Sequence, residues 1–188
     1  HRPFGGIMPE VASRAHIETI GPLLKRALDD TGLAARDVNA VGVTTSPGLK
    51  GSLLAGVSVA AGFCWKTGIP MYPVNHLHAH LAANFTADPL FPALGLLVSG
   101  GHTSLYLVRD FTDFTVLGTT RDDACGEAFD KVGRMLGLPY PGGPNIEKAA
   151  KDGDPDAIRF PVPVMEDSLD FSFSGLKTAV YYHILKHG

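Results

Sequence analysis

Helical and extended patterns alternate along the first half of this chain, and this alternation limits the folds it can adopt. Apolar residues recur at helical spacing from Pro9 to Thr31, where Gly32 follows as a helix-ending residue. Further patterns predict a strand, a helix and a strand at residues 37–45, 51–66 and 69–74. Strands separated by helices are typical of a parallel α/β sheet with right-handed crossovers, whose ligands bind at the carboxyl ends of the strands.

The pattern changes after Pro89 and Pro92. Short β-rich runs typical of an antiparallel meander lie at residues 94–98, 104–108 and 114–119. Helices are predicted at residues 125–136, from Asn145 after a loop at 141–144, and at 176–186. We therefore expect a domain boundary near Pro92, which separates residues 1–91 from residues 92–188.

Composition argues against a disordered protein, a general nucleic-acid binder and a membrane-spanning protein. With 188 residues, 45% of them hydrophobic, the chain can build one large core or two small ones. Its net charge of -3 gives no general attraction to phosphate backbones. The longest apolar stretch, residues 53–65, is shorter than the roughly 18 residues of a membrane span and is expected to form a buried helix.

The first residues and the cysteines each support one expectation. The first six residues lack an initiator Met and a signal-peptide pattern, which indicates a fragment of a longer protein. Cys64 and Cys125 are the only cysteines, and both have apolar or small neighbours. Two such thiols favour a reduced, intracellular protein over a disulfide-linked secreted one.

Two histidines four residues apart, His76 and His80, directly follow the strand predicted at 69–74. Residues at i and i+4 of a helix share a face, so both imidazoles can bind one metal ion while His78 projects to the far side. Such a pair alone is a weak signal, but its position at the carboxyl end of a strand favours a metal site. Zinc and non-haem iron take more ligands than two, so a third, a carboxylate, is expected elsewhere.

Gly100 and Gly101 lie between the first two strands predicted in the second half. Two glycines there are typical of a type I′ hairpin. Their bare N–H groups are also suited to bind a phosphate or carboxylate, with the hydroxyls of Ser99 and Thr103 as further donors. The two interpretations are compatible, and the spacing does not choose between them.

A nucleotide pocket is indicated around Asp130. Asp130 shares a helical face with Arg134, for which a solvated ion pair is the default interpretation. Gly142 and Gly143 downstream predict a loop that admits a flat ring, beside which Asp130 would accept ribose hydroxyls. Four other histidines have no candidate ligand or binding loop near them in the sequence and are interpreted as structural: His16, His102, His183 and His187.

Six segments, in the same order, resemble motifs of the TsaD/Kae1/Qri7 family, and they are closer to its bacterial and organellar branch. They are residues 5–16, 75–80, 97–103, 126–131, 140–144 and 170–177. The resemblance implies the fold of the actin and sugar-kinase (ASKHA) superfamily, with two ribonuclease-H-like domains around a nucleotide cleft. Residues 1–91 would be the first domain without its N-terminal strands, and residues 92–188 the second without its C-terminal part.

The resemblance also implies a function in tRNA processing. Family members are acyltransferases, N6-L-threonylcarbamoyladenine synthases. They transfer the threonylcarbamoyl group of threonylcarbamoyl-AMP to N6 of the adenosine next to the anticodon in tRNAs reading codons that begin with A. The expected partners are tRNA and either a paralogous TsaB-type subunit with a TsaE-type P-loop ATPase, in bacteria, or a second copy of the chain, in organelles. A cytoplasmic protein without membrane contact is expected.

Site residues follow from the same resemblance. His76 and His80 would bind one Fe2+, or Zn2+, per subunit, with an Asp outside this chain as the third protein ligand. The substrate-binding residues would be Leu97, Val98, Ser99, Gly100, Gly101, Asp130 and Gly143. No residue is an obvious general base. The isolated chain is predicted to bind metal weakly and to be inactive.

Three other functions stay open at this point. A metallopeptidase would need the Glu of an H-E-x-x-H motif, where this chain has Leu77. An ASKHA-type ATPase or kinase would use magnesium, whereas histidines favour a softer metal. A non-catalytic paralogous scaffold subunit would lack the pair of His76 and His80.

Overall fold

The computed structural model describes residues 8–85, 88–162 and 165–187. It divides the chain into two compact units, His1–Asn84 and Phe85–Gly188, so the division comes earlier than the boundary expected near Pro92. Phe85 accounts for this, because its ring packs edge-on against Phe91 and Phe111 at centroid distances of 5.3 Å. The mixed α/β class is confirmed, and the assignment to two ribonuclease-H-like domains stays a prediction.

The first unit combines helices with a parallel pair of strands. Its elements are α1 (Pro9–Thr31), a 3-10 turn (Ala35–Asp37), β1 (Val41–Ser46), α2 (Lys50–Thr67), β2 (Met71–Asn75) and α3 (His76–Ala82). β1 pairs with β2 in parallel, from Val41 opposite Met71 to Ser46 opposite Asn75. The carboxyl ends of both strands therefore lie side by side, as the alternating pattern predicts.

Helix α1 begins and ends where its sequence pattern predicts. It stops at Gly32, whose φ of 68° lies in the left-handed region that glycine adopts at little cost. Its first turns pass very close to the start of α2, because a Cβ at Gly51 would lie 2.3 Å from the Ser13 hydroxyl oxygen. A larger residue at 51 would require the Ser13 side chain to move.

The prediction that the helix at 51–66 is buried is wrong. Leu54 and Trp65 in α2 are 67% and 88% exposed, while Ala55, Ala60 and Cys64 are buried. In the first unit α2 packs on α1 and β1 by one side only, which leaves the other side to solvent. Among the described residues, no helix has both the length and the apolar character needed to cross a bilayer.

The second unit contains a three-stranded antiparallel sheet followed by three helices among its described residues. Its elements are β3 (Ala93–Val98), β4 (Thr103–Val108), β5 (Phe114–Thr119), α4 (Cys125–Met135), α5 (Gly142–Ala150) and α6 (Ser174–His187). The strand order is β3-β4-β5, which confirms the predicted meander. Tyr106 and Val108 of the central strand are buried and form part of the core.

Two local predictions for this unit are wrong. Helix α5 begins at Gly142 rather than Asn145, because Asp130 Oδ1 accepts the Gly142 N–H at 2.7 Å and caps the helix. The connection between β3 and β4 is not a type I′ turn, since neither Gly100 nor Gly101 has a positive φ. It is a four-residue loop closed by the Ser99 N–H, which donates to the His102 carbonyl at 2.8 Å.

Candidate functional site

The histidine pair is positioned by the residue that precedes it. Asn75, the last residue of β2, accepts the N–H groups of Leu77 at 2.9 Å and His78 at 3.2 Å through its side-chain oxygen. This bond pattern is a helix N-cap, so α3 starts at the strand end. Leu77 and Leu81 are buried and fix one side of α3 in the unit. His76 and His80 lie on another side of the helix.

The two imidazoles have a separation that suits a shared ion. The Nε2 atoms of His76 and His80 are 3.2 Å apart, and the ring centroids are 4.4 Å apart with planes inclined by 67°. Two nitrogens bound at about 2.1 Å to one tetrahedral zinc ion lie about 3.4 Å apart. The separation of the pair is therefore compatible with two ligands of one metal ion, and the metal site stays a prediction. No third His, Cys, Asp or Glu joins them among residues 8–85, 88–162 and 165–187.

A cavity of about 470 Å³ adjoins the pair at the carboxyl end of β1. Its lining includes His16, Thr44, Gly48, Ser52 and His76. The Ser52 hydroxyl oxygen is buried and has no hydrogen-bond partner in the described part of the chain. A buried polar atom without a partner marks a place where a polar ligand can bind.

His16 is a residue that the sequence analysis missed. It was interpreted as structural, yet it lines the same cavity as His76. Its Nδ1 lies 2.7 Å from the Ala12 carbonyl oxygen, one turn earlier in α1. Ser13, which contacts Gly51, lies one turn before His16 on the same side of α1. The close approach of α1 to α2 therefore places His16 at the cavity, and the only sequence signal was its position at the end of the first motif.

The loop of Gly100 and Gly101 presents free backbone donors. Both glycines are exposed, and neither of their N–H groups has an acceptor in the ranges that the structure describes. The loop rests on the start of α4, where the Gly126 N–H donates to the Ser99 carbonyl at 3.1 Å. A Cβ at Gly126 would lie 2.8 Å from Gly100 Cα and 2.9 Å from Gly100 N. Glycine at 126 thus holds the loop in place.

The hydroxyls beside this loop are not available as the sequence analysis expected. Thr103 is 2% exposed, and its Oγ1 accepts the Cys125 N–H at 2.9 Å. The Ser99 hydroxyl is bonded within the loop, accepting the His102 N–H at 3.0 Å. Leu97 is 6% exposed and offers a substrate little surface, whereas Val98 is exposed.

The proposed nucleotide pocket near Asp130 is partly filled by the protein itself. A Cβ at Gly142 would lie 2.3 Å from the Phe129 carbonyl oxygen, so no ring can stack there. Gly143 is more open, since its nearest neighbour is Phe129 Cβ at 3.9 Å. Oδ1 of Asp130 is bonded to Gly142, while Oδ2 accepts no hydrogen bond from a described residue. One carboxylate oxygen and one glycine therefore remain for a ligand.

Two aspartates before α4, also missed from the sequence, attach the segment of residues 170–177. Asp122 accepts the Phe173 N–H at 2.8 Å and the Ser172 hydroxyl at 2.5 Å. Burial alone would raise the pKa of Asp122, but the hydrogen bonds from residues 172–174 outweigh it and lower the pKa below its usual value.

Asp123 is the more strongly bound of the two aspartates. Its carboxylate accepts hydrogen bonds from Lys131 and Lys177, each at 2.5 Å, and its side chain is only 13% exposed. The hydrogen bonds and charges of these lysines lower the pKa of Asp123. Asp123 therefore joins α4 to α6 as a carboxylate.

Comparison with known proteins identifies the family of this chain. The sequence model of the family "TsaD: tRNA N6-adenosine threonylcarbamoyltransferase" matches residues 1–187. The chain belongs to the TsaD family. It is 53% identical over 191 residues to the tRNA N6-adenosine threonylcarbamoyltransferase of Anaeromyxobacter dehalogenans strain 2CP-C, and 54% identical over 187 residues to that of Moorella thermoacetica.

These matches cover nearly all of this chain but only part of each relative. They take in 100% and 98% of the chain, and 57% and 55% of the two relatives. The chain thus spans a little over half the length of the relatives it matches. Among solved structures, YeaZ from Pseudomonas aeruginosa aligns with a TM-score of 0.40 and 18% identity, covering 55% of this chain and 49% of YeaZ.

Proposed function

We propose that the full-length protein transfers a threonylcarbamoyl group from threonylcarbamoyl-AMP to N6 of the adenosine next to the anticodon, in tRNAs reading codons that begin with A. One observation carries the proposal. His76 and His80, 3.2 Å apart at a strand end, have the geometry of a metal pair in a chain that belongs to the TsaD family. The relatives described above are named tRNA N6-adenosine threonylcarbamoyltransferases, which supports transfer of this group to N6 of an adenosine in tRNA.

The proposed cofactor is one Fe2+ per subunit, with Zn2+ as the alternative. His76 and His80 would hold it, together with a carboxylate that is not among the described residues. When bound, the ion would supply Lewis-acid polarisation of the carbonyl that is attacked. The chain's own contribution is preorganisation, because the Asn75 cap and the buried Leu77 fix the start of α3 before any ligand binds.

The residues of the second unit would bind the adenylate. The free N–H groups of Gly100 and Gly101 are suited to stabilise negative charge on a leaving phosphate. Leu97, Val98 and Ser99 directly precede these glycines and would complete the substrate-binding segment. Asp130 Oδ2 would accept a ribose hydroxyl beside Gly143, the glycine that remains open.

The proposed partners are tRNA, a TsaB-type subunit and a TsaE-type ATPase, or a second copy of the chain, in the cytoplasm. The net charge of -3 supports a role for partners, since the chain alone offers no excess of positive charge to a tRNA backbone. A metallopeptidase finds no support, because Leu77 occupies the place of the catalytic Glu and is buried.

The test is formation of the modified nucleoside. Full-length protein, tRNA, threonine, bicarbonate and ATP would be incubated with the other pathway proteins, and the tRNA digested and measured by mass spectrometry. We expect product from the unaltered protein and a loss of at least a hundredfold in the His76→Ala/His80→Ala variant. Metal content measured on both proteins should fall in parallel. Full turnover of the double variant would contradict the proposal.

A further inference from the structure

The geometry points to His16 as the proton acceptor for the attacking amine, a role that rests on the transfer reaction proposed above. Acyl transfer to an amine releases a proton, which a general base must accept. Among the described residues that line the cavity next to His76, only His16 and His76 have side chains able to accept a proton. The other lining residues are hydroxyl-bearing, glycine, proline or aliphatic.

Of these two imidazoles, His16 is the one whose Nε2 has no hydrogen-bond partner among residues 8–85, 88–162 and 165–187. His76 Nε2 is 3.2 Å from His80 Nε2, which places it in the metal pair. His16 Nδ1 lies 2.7 Å from the Ala12 carbonyl oxygen. A carbonyl oxygen only accepts hydrogen bonds, so Nδ1 carries the hydrogen and the neutral ring has its lone pair on Nε2.

The backbone holds His16 in this position without help from a ligand. Helix α1 meets α2 at Ser13 and Gly51, where a Cβ on residue 51 would be 2.3 Å from the serine oxygen. His16 follows one turn later and lines the same cavity as Ser52, whose buried hydroxyl has no partner in the described ranges. A base held on a packed helix with its tautomer fixed is preorganised for proton transfer.

The N6 nitrogen forms a bond to the carbonyl carbon of the threonylcarbamoyl group, and the bond from that carbon to the AMP phosphate oxygen breaks. AMP leaves with the bonding electron pair, and one proton of the amine moves to Nε2 of His16. The imidazolium returns this proton to solvent after AMP has left.

The experiment is single-turnover transfer with full-length protein, tRNA and preformed threonylcarbamoyl-AMP. His16→Ala should slow transfer by about 10²- to 10⁴-fold, which is the usual contribution of a general base. The dissociation constant of this variant for threonylcarbamoyl-AMP should stay within about threefold of that of the unaltered protein. Added imidazole should raise the transfer rate of the variant by about tenfold or more. A merely structural residue would not be rescued by imidazole.

Two further variants complete the design. His16→Asn can still donate to the Ala12 carbonyl but lacks the accepting nitrogen, so it should fold normally and remain slow. Thr19→Val is the matched control, because Thr19 also bonds a carbonyl four residues back, Ala15 O at 2.6 Å, outside the cavity. It should react at the unaltered rate.

The outcomes separate the two proposals. Transfer by His16→Asn within threefold of the unaltered rate, or a slow His16→Ala that imidazole does not rescue, would overturn the role of His16 alone. Absence of product from the unaltered protein would overturn the transferase function and the role of His16 with it.

Discussion

Gly126→Ala should loosen the loop of Gly100 and Gly101, and the size of the effect can be worked out from the structure. The added Cβ would lie 2.8 Å from Gly100 Cα, whereas carbon atoms in contact are about 3.5–4.0 Å apart. The loop must therefore retreat by about 0.7–1.2 Å. This shift would stretch the 3.1 Å hydrogen bond from the Gly126 N–H to the Ser99 carbonyl beyond 3.6 Å and break it.

The energies favour a net loss of stability. Overpacking costs about 1–3 kcal/mol, and the broken hydrogen bond a further 0.5–1.5 kcal/mol or so. Alanine gains at most about 1 kcal/mol over glycine in a helix. We expect the free energy of unfolding to fall by about 0.5–4.5 kcal/mol. We also expect slower transfer, by up to about 10²-fold for a 1 Å displacement of binding groups.

The assay is urea unfolding of the full-length protein, with hydrogen–deuterium exchange of the peptide that contains residues 97–103. Gly62→Ala is the matched control, because Gly62 lies inside α2 with no atom within 4 Å of its added Cβ. That variant should be as stable as the unaltered protein or up to about 1 kcal/mol more stable. If Gly126→Ala behaved like Gly62→Ala, with unchanged exchange in the loop, the reasoning would be refuted.

Two further predictions concern a carboxylate and a cap. Lys131 and Lys177 lower the pKa of Asp123, so its stabilisation is present above its unfolded-state pKa, about 4, and is lost as the pH falls through the lower folded-state pKa. Asp123→Asn should reduce the free energy of unfolding at pH 7 by about 1–3 kcal/mol and flatten its decline between pH 5 and 2 or so. An unchanged decline in urea titrations would count against this. Asn75→Ala should remove about 0.5–2 kcal/mol of stability from α3 and weaken Co2+ binding measured by absorption, while Asn75→Asp should restore both. Equal affinity in all three proteins would show that the cap does not position the ligands.

Much of the fold could be predicted because its signals are local. The helix at Pro9–Thr31 and the strand at Phe114–Thr119 have the bounds that their patterns indicate. The start of α3 was predictable for the same reason, since the strand, the cap and the histidine pair are consecutive. His76 and His80 could be paired from spacing alone, because the geometry of a single helix fixes their distance.

The errors share a different cause, which is contact between segments distant in the chain. Helix α5 starts early because its cap, Asp130, comes from the preceding helix. The loop at Gly100 departs from a type I′ turn where it rests on Gly126. His16 reaches its cavity only because α1 lies close to Gly51. The sequence pattern within a single helix or loop does not indicate these contacts.

Helix α4 is in contact with every element of the second unit to which we assign a binding role. Its first turn supports the loop of Gly100, its middle carries Asp130, and Asp130 in turn caps the helix that contains Gly143. The positions of the Gly100 loop, Asp130 and the start of α5 therefore all depend on the position of α4. A mutation that tilts α4 would therefore shift the contacts proposed for phosphate and for ribose together, and the two would change in concert.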